Sequence, residues 1–485
     1  MDGILFDRIW RKLGLDYEIQ QIDGSIEENE SWGKETIFSL APYHLGLVDY
    51  FFQAELTPAG KNLICSKNKS DVILRQILKF QIPSPMREKE CEKSYCLKPF
   101  LEILRLIRSM GFVTFDELQL FGALLTDYRD FDKTLNAIKK YRKNKPGNIG
   151  VKRTQSSNMR DYADACFRYL RITGLVNVSH VGKSLSIVPE RIAEVDYILK
   201  NIKREPVHVD DKNKYEAYLG DASLPRLLTD DRTMREQKIQ DEFPDANIDA
   251  SASLDELKDM LADMLDERKQ STITEQVAEI KDYRQYDDIQ QTYEQIVKSE
   301  VYDAPLMLEW NTWRAMTMLD GGDIKANLNF DDYGKPLSTA AGNMSDIICD
   351  YGDFMVCVEV TMSSGQKQYE MEGEPVTRHL GKLKKASNKP CYCLFVAPTI
   401  NDACVTHFYT LHHLNLANYG GKSTIVPLPI EVFRKMVDDS YKANYTPNPT
   451  HVRQFFETSN EYAQICQSDV EWYEKMKDKA LHWLE

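Results

Sequence analysis

Apolar positions in the first part of the chain recur at helical spacing. In Asp71–Phe80 the apolar residues are Val72, Leu74, Ile77 and Leu78. The last two follow Leu74 by three and four positions, which is helical spacing and predicts a helix. Thr114 begins another helix over Phe115–Leu125, because Glu117 follows three residues later and completes a capping box. The first part of the chain is therefore predicted to be mostly α-helical.

A further helix, Asp161–Ile172, is followed by two short strand-like runs, Leu175–Val178 and Leu185–Val188, on either side of a turn. Helices followed by a small two-stranded hairpin are typical of a winged helix, which places a helix in the major groove of DNA. Many other helical domains also end in a hairpin, so this layout alone is weak support for DNA binding.

The middle and last parts of the chain have different patterns. Leucines 254, 257, 261 and 265 recur at helical steps with acidic residues between them, which predicts acidic helices. Strand-like runs follow at Asp346–Asp350, Phe354–Met362, Cys391–Ala397 and Thr424–Leu428, with helical segments around them. We therefore predict three parts: a mostly α, winged-helix-like region at 1–203, an acidic helical linker at 204–302, and an α/β domain with a mixed sheet at 303–485.

Composition excludes several protein classes. The chain has 485 residues, of which 42% are hydrophobic and 28% charged, as in globular proteins of several domains. No stretch approaches the ~18 uncharged apolar residues that a membrane helix needs, so a membrane partner is not expected. Ten cysteines are too sparse for a disulfide scaffold and lack zinc-finger spacing, so reduced thiols are expected.

Charge is distributed unevenly along the chain. The net charge is -14, yet residues 133–171 hold 11 Lys and Arg against 2 Asp and Glu, whereas residues 241–300 hold 17 Asp and Glu against 6 Lys and Arg. A basic segment of this kind can face a polyanion, although a solvated helix face would have the same composition.

The chemistry is predicted to lie on a hairpin. Tyr351-Gly352-Asp353 separates the first two strand-like runs of the last part, and a turn centred there places Asp346 opposite Glu359. Directly opposed residues have Cβ atoms ~4.5–5.5 Å apart, so the two carboxylates repel each other unless a cation lies between them. Hard oxygen ligands suit Mg²⁺. The alternative for this pair alone is a solvated acidic edge.

Neighbouring segments add further reactive side chains. A helix-like segment before the hairpin contains Glu309, and the run SSGQKQYEMEGEPVTRHL after it contains Glu372 and His379. Acids, an amide, an arginine and a histidine on one short segment beside a carboxylate pair are typical of an active site.

These residues lie in runs that resemble a known family. LEWNTWRAM, PLSTAAGNMSD and VEVTMSSGQKQYEMEGEPVTRHL resemble the catalytic domain of the AlwI-like type IIS restriction and strand-specific nicking endonucleases, which have a PD-(D/E)XK-type nuclease fold. LTPAGKNL with VILRQILKFQIPSP, RDYADACFRYLRITGL and YEAYLGDASLP resemble recognition-half segments of the same family. The resemblance covers nearly the whole chain.

The resemblance implies an acidic active site at Glu309, Asp346, Glu359 and Glu372, with His379 as the accompanying histidine. Two positions depart from the name-giving motif: Ser345 stands where proline is expected and Thr361 where lysine is expected. The family itself lacks that lysine, so Thr361 is compatible with activity. Glu372 and His379 remain alternatives for the group that orients the attacking water, and a third alternative is that Lys367 contributes charge.

The resulting expectation is a Mg²⁺-dependent, site-specific type IIS endonuclease of the bacterial cytoplasm, in which Asp346 and Glu359 hold the metal. It would bind double-stranded DNA and cut at a fixed distance outside an asymmetric site, using a transient homodimer or a small second subunit for double-strand cleavage. Five basic residues are predicted to contact DNA: Lys152, Arg153, Arg160, Arg168 and Arg171. The alternatives are a strand-specific nicking endonuclease, the large subunit of a heterodimeric restriction enzyme, and a non-catalytic winged-helix DNA-binding regulator, which would leave the acidic cluster unexplained.

Overall fold

The computed structural model describes residues 45–49, 55–86, 94–144, 153–319, 321–340, 344–443 and 449–484. The chain divides into two compact units, Met1–Arg268 and Lys269–Glu485. Within the described ranges no helix is long and apolar enough to cross a membrane.

Unit 1, the first of these, is mostly helical. Its helices, the last of which continues into the second unit, are α1 Pro58–Cys65, α2 Lys69–Lys79, α3 Pro99–Met110, α4 Phe115–Leu124, α5 Phe131–Asn144, α6 Arg153–Ile172, α7 Ile192–Asn201, α8 Lys212–Gly220, α9 Arg232–Glu242 and α10 Leu254–Lys281. Its strands are β1 Val48–Asp49, β2 Glu55–Leu56, β3 Phe112–Thr114, β4 Val176–Ser179 and β5 Ser184–Ile187. The predicted helices over 71–80, 115–125 and 161–172 are all present, the last beginning eight residues earlier than expected.

Local signals explain where these helices begin. The capping box at α4 is formed as predicted: the Glu117 backbone N–H donates to Thr114 Oγ1 at 3.3 Å, and the Thr114 N–H donates to Glu117 Oε2 at 2.9 Å. At α1 the Gly60 N–H donates to the Thr57 hydroxyl, and Pro58 occupies the first helical turn.

The predicted two-stranded hairpin is larger than expected. β4 and β5 pair antiparallel as the sequence indicates, but β3 pairs with β5 on its other side and gives a three-stranded sheet in the order β3-β5-β4. β3 has only three residues and merges into the cap of α4, so the sequence pattern did not distinguish it from a helix start.

The acidic segment 204–302 divides differently from the expected linker. The unit boundary at 268/269 falls inside it, within α10. Leu257 and Leu261 are fully buried against Ile239 in a small core of unit 1, whereas Ile289 and Tyr293 belong to the main core of the second unit. Because these apolar faces are buried, the acidic helices form part of both units.

Unit 2, Lys269–Glu485, contains a mixed sheet with helices packed around it. Its further helices are α11 Tyr286–Val297, α12 Ala304–Met318, α13 Gln366–Ala386, α14 Asp402–Leu411, α15 Ile430–Lys442, α16 Pro449–Ile465 and α17 Asp469–Leu481. Its strands are β6 Asp323–Ala326, β7 Asn329–Phe330, β8 Pro336–Ser338, β9 Ile347–Asp350, β10 Met355–Val360, β11 Cys391–Ala397 and β12 Ile425–Pro429. The five-stranded sheet has the order β12-β11-β10-β9-β6.

The sheet confirms the predicted α/β class and its mixed strand directions. β10, β11 and β12 are parallel, while β9 and β6 are antiparallel to their neighbours. All seven residues of β11 are buried, as its uninterrupted apolar run predicts for a central strand. The carboxyl ends of β10 and β11 therefore meet at one edge of the sheet, beside the start of α13.

Candidate active site

The hairpin register brings the two predicted carboxylates together. β9 and β10 pair so that Ile347 is opposite Val358, and continuing this register by one residue places Asp346 opposite Glu359, as the sequence predicts. The Val360 backbone N–H donates to Asp346 Oδ2 at 2.7 Å, which fixes the Asp346 side chain against the end of β10. Glu359 is 6% exposed.

Two further acids flank this pair. Glu309, on α12, is buried and accepts a hydrogen bond from the Ala340 N–H at 2.7 Å. Glu372, on α13, is half-buried, and the side chain of Thr361 acts to lower its pKa. The structure thus gathers four carboxylates from α12, the β9–β10 hairpin and α13.

The electrostatics of the cluster are those of crowded, buried acids. Burial raises the pKa of Asp346, Glu359, Glu309 and Glu372 alike. The neighbouring carboxylate of Glu359 further raises the pKa of Asp346, and Asp346 does the same for Glu309. Ionisation of these four acids is therefore unfavourable unless a cation offsets their charge.

His379 completes the predicted set. Its Nδ1 lies 3.0 Å from Glu359 Oε1, and its side chain is 10% exposed. Burial, reinforced by the nearby cations Arg378 and Lys382, lowers the pKa of His379 to about 4, so the ring is neutral at pH 7. In the tautomer with its proton on Nδ1, the neutral ring donates to Glu359 and keeps a lone pair on Nε2, and this buried nitrogen has no hydrogen-bond partner among the described residues.

Both departures from the motif contribute hydroxyl groups to the cluster. Ser345, in the expected proline position, is buried, and its side chain acts to lower the pKa of Glu359. Thr361, in the expected lysine position, acts in the same way on Glu372. Neither effect was predictable from the sequence pattern. Lys367, which was expected at most to contribute charge, is exposed in the first turn of α13.

The carboxylate cluster offers oxygen ligands for a metal ion. Among the described residues, no group of three or more His, Cys, Asp or Glu side chains could hold a metal ion as the side chains stand. Mg²⁺, however, is commonly bound by one or two carboxylates together with water and substrate phosphate oxygens. The opposed pair Asp346 and Glu359 supplies hard, anionic oxygen donors of this kind, so the residues present fit such an ion.

The predicted DNA-contacting residues of unit 1 have different environments. Arg160 is exposed on α6. Arg168 is largely buried and paired with Asp164, Nε to Oδ2 at 2.8 Å, and Arg171 is only 9% exposed. Neither of these two guanidinium groups is presented to a ligand, because both lie on the face of α6 that packs into unit 1. Arg153 begins α6, with its side chain outside the described part, and Lys152 lies outside the described residues.

Comparison with known proteins gives one match to a family and several to structures. Residues 43–436 match the family described as AlwI restriction endonuclease. No curated protein matches the chain.

Among solved structures, the chain is similar to the small subunit of the heterodimeric restriction endonuclease R.BspD6I, with 25% identity and a TM-score of 0.33 over 41% of this chain and 95% of that one. It is also similar to the binding domain of the BpuJ1 endonuclease, with 13% identity and a TM-score of 0.31 over 41% of this chain and 80% of that one. A third similar structure is the restriction endonuclease FokI, with 13% identity and a TM-score of 0.26 over 90% of this chain and 84% of that one.

Proposed function

The chain belongs to the AlwI restriction endonuclease family. From this premise we propose that it is a type IIS enzyme, which hydrolyses DNA at a fixed distance outside an asymmetric site in a Mg²⁺-dependent reaction. Unit 2 would be the nuclease and unit 1 would read the site. The observation that carries the proposal is the buried cluster of Glu309, Asp346, Glu359 and Glu372 with His379 at one edge of the sheet.

Asp346 and Glu359 would hold the divalent ion. When bound, such an ion polarises the scissile phosphate and makes a bound water more acidic. A cation would also neutralise the repulsion that burial imposes on these two carboxylates, which gives the chain a physical reason to bind one.

The remaining residues would orient the water and the phosphate. With its proton on Nδ1, His379 would donate to Glu359 and keep Nε2 as an acceptor, so we propose that Nε2 orients the attacking water. Glu372, on α13, would accept a proton from the same water. Glu309, held by the Ala340 N–H, would add negative charge behind the metal pair.

Site reading is proposed for the winged-helix-like part of unit 1. α3, β3, α4, α6 and the β4–β5 hairpin follow one another in the order that a winged helix has, with α5 inserted. Arg160 is the predicted phosphate contact whose side chain is exposed on α6. Because one carboxylate cluster can cut one strand per encounter, double-strand cleavage would need a transient homodimer or a small second subunit.

The test is digestion of mixed plasmid DNA by the purified full-length chain with Mg²⁺, followed by sequencing of the ends. We expect ends at a constant offset from one asymmetric sequence. Asp346→Ala and Glu359→Ala should each abolish cleavage while binding of the same DNA in Ca²⁺ is retained, since neither residue lies in unit 1. Cleavage at the wild-type rate by either variant would place the active site elsewhere, and ends without a common sequence would contradict site specificity.

A further inference from the structure

A fully buried glutamine lies at the catalytic edge of the sheet in unit 2. Gln368 is in the first turn of α13 and has no exposed surface. Its amide nitrogen donates to the carbonyl oxygens of Ser363 at 2.9 Å and Thr399 at 2.8 Å, and its amide oxygen accepts from the Asn401 N–H at 2.8 Å. The Gln368 amide thus makes three of the four hydrogen bonds open to it, all with backbone groups.

These three partners belong to two different loops. Ser363 lies between β10 and α13, and Thr399 and Asn401 lie between β11 and α14, where Asn401 also caps α14 by accepting from the Ala403 N–H. Gln368 therefore ties the start of α13 to the carboxyl ends of two adjacent parallel strands. This is the edge at which the acidic cluster is assembled.

A short chain of hydrogen bonds leads from Gln368 to Thr361, beside a carboxylate of the cluster. The Ser363 N–H donates to Thr361 Oγ1 at 3.0 Å, and the Thr361 N–H donates to the Val396 carbonyl at 3.1 Å, which holds the loop to β11. Glu372 lies four residues after Gln368 on the same helix, and the Thr361 side chain acts to lower its pKa. The bonds of Gln368 and Thr361 therefore fix the first turn of α13, and with it the helix that carries Glu372, to the loop after β10.

We infer that Gln368 is a positioning residue of the nuclease, which sets the distance of Glu372 from the Asp346–Glu359 pair by joining the loops after β10 and β11 to the first turn of α13. It is a positioning residue because it acts through Thr361 and Glu372 and does not contact the reacting atoms. The inference rests on the proposed nuclease function of this site.

The expected effect of removing these bonds is mainly on the chemical step. Without the amide, the carbonyls of Ser363 and Thr399 lose their buried donor, and the loop and helix are free to shift relative to each other. A displacement of about 1 Å of a catalytic group can cost on the order of 100-fold in rate. DNA affinity should change little, because the amide is buried and has no surface to offer to DNA.

The experiment compares two variants and one matched control in the full-length chain. Gln368→Met keeps the side-chain length without polar atoms, and Gln368→Glu keeps the shape but removes both donors when ionised. The control is Asn460→Leu. Asn460 accepts a hydrogen bond from the Thr424 hydroxyl at 2.7 Å and pairs with His412 Nδ1 at 2.9 Å. Thr424 directly precedes β12, which is parallel to β11, so Asn460 lies at the end of the sheet opposite the carboxyl ends of the parallel strands.

Three quantities are measured for each variant: the single-turnover cleavage rate at saturating enzyme, the Kd for DNA in Ca²⁺, and the thermal midpoint of unfolding. The rates are taken at a temperature at which all variants are folded. We expect both Gln368 variants to lose about tenfold to 100-fold in rate with less than a twofold change in Kd, while Asn460→Leu keeps the wild-type rate despite a similar loss in thermal midpoint. The rate of Gln368→Glu relative to Gln368→Met should rise as the pH is lowered, because a protonated carboxyl again donates one hydrogen bond.

Three results would overturn the inference: wild-type rates for the Gln368 variants, a rate loss equal to that of Asn460→Leu at the same loss in midpoint, or a weakened Kd that accounts for the whole effect. If Gln368→Met does not fold, Gln368→Glu alone decides the matter by the same criteria. Failure of the proposed function itself is recognised separately, because wild-type protein would then not cleave DNA, or Asp346→Ala would cleave at the wild-type rate.

Discussion

Replacing Asp346 by Asn should make unit 2 more stable in the absence of metal while it abolishes cleavage. The change keeps the side-chain shape and an oxygen for the Val360 N–H, which donates to Asp346 Oδ2 at 2.7 Å. It removes one charge from a pair whose mutual repulsion raises the pKa of Asp346 beyond the effect of burial. The native state therefore loses an unfavourable interaction that the unfolded chain lacks.

The size of the effect follows from Coulomb's law. Directly opposed side chains have Cβ atoms about 5 Å apart, and two unit charges at that distance repel by ~3 kcal/mol at an effective dielectric constant of about 20. Partial protonation of the crowded carboxylates lowers this value, so we expect a gain of about 1–3 kcal/mol. For a domain of this size each kcal/mol raises the midpoint by roughly 2–4 °C.

The assay is calorimetric unfolding of the full-length chain at pH 8 in EDTA and again with Mg²⁺, alongside plasmid cleavage. In EDTA, Asp346→Asn should unfold at a higher temperature than wild type in the transition of unit 2. Added Mg²⁺ should stabilise wild type, because an ion that binds only the folded state shifts the equilibrium by mass action, and it should stabilise the variant much less.

A neighbouring carboxylate provides the control. Asp350, at the end of the same strand β9, is paired with Lys389 at 2.8 Å, and that contact lowers its pKa. Asp350→Asn should therefore leave cleavage unchanged and slightly lower the midpoint. An Asp346→Asn variant that is no more stable than wild type in EDTA, or one that Mg²⁺ stabilises as much as wild type, would refute the reasoning.

Further predictions concern DNA binding, product order and pH. Arg160→Ala should weaken DNA binding and lower the slope of log K against log salt by ~0.9, as expected for one lost phosphate contact, whereas an unchanged slope would remove Arg160 from the interface. On supercoiled plasmid the nicked circle should appear first, and linear DNA should rise more than proportionally with enzyme concentration; linear product from the outset, first order in enzyme, would indicate two active sites per particle. Lys79 is fully buried, and its Nζ donates to the Leu219 and Asp221 carbonyls at 2.7 Å each. Burial lowers the pKa of Lys79 to about 7. Between pH 7 and about 10 the unfolded chain then holds a proton on Lys79 that the folded chain does not. The free energy of unfolding of wild type relative to Lys79→Met should therefore rise with pH by up to ~1.4 kcal/mol per pH unit. A difference in thermal midpoint that does not change with pH would contradict a buried lysine that is neutral in the folded state.

Features that depend on neighbouring residues were predictable from the sequence. The facing positions of Asp346 and Glu359 follow from the turn at Gly352, because a strand pair joined by a short turn has its register set by that turn. The capping box of Thr114 and Glu117 is likewise a contact between residues three apart. The buried strand β11 is marked by its own unbroken apolar run.

Features that depend on distant residues were decided by packing. In the sequence, Arg168 and Arg171 cannot be distinguished from the exposed Arg160, because all three lie in the same basic segment. In the tertiary structure the face of α6 that carries Arg168 and Arg171 is largely buried. Glu309 joins the cluster from α12 only because that helix packs beside the hairpin, and its role could be predicted from the family resemblance but not from spacing. Gln368 has partners 31 and 33 residues away. A hydrophobic pattern encodes which face of a helix or strand is buried, whereas the free energy of packing selects which other element covers that face. The packing of α12 and α13 against the sheet therefore brought Glu309 and Gln368 to the edge that holds Asp346 and Glu359.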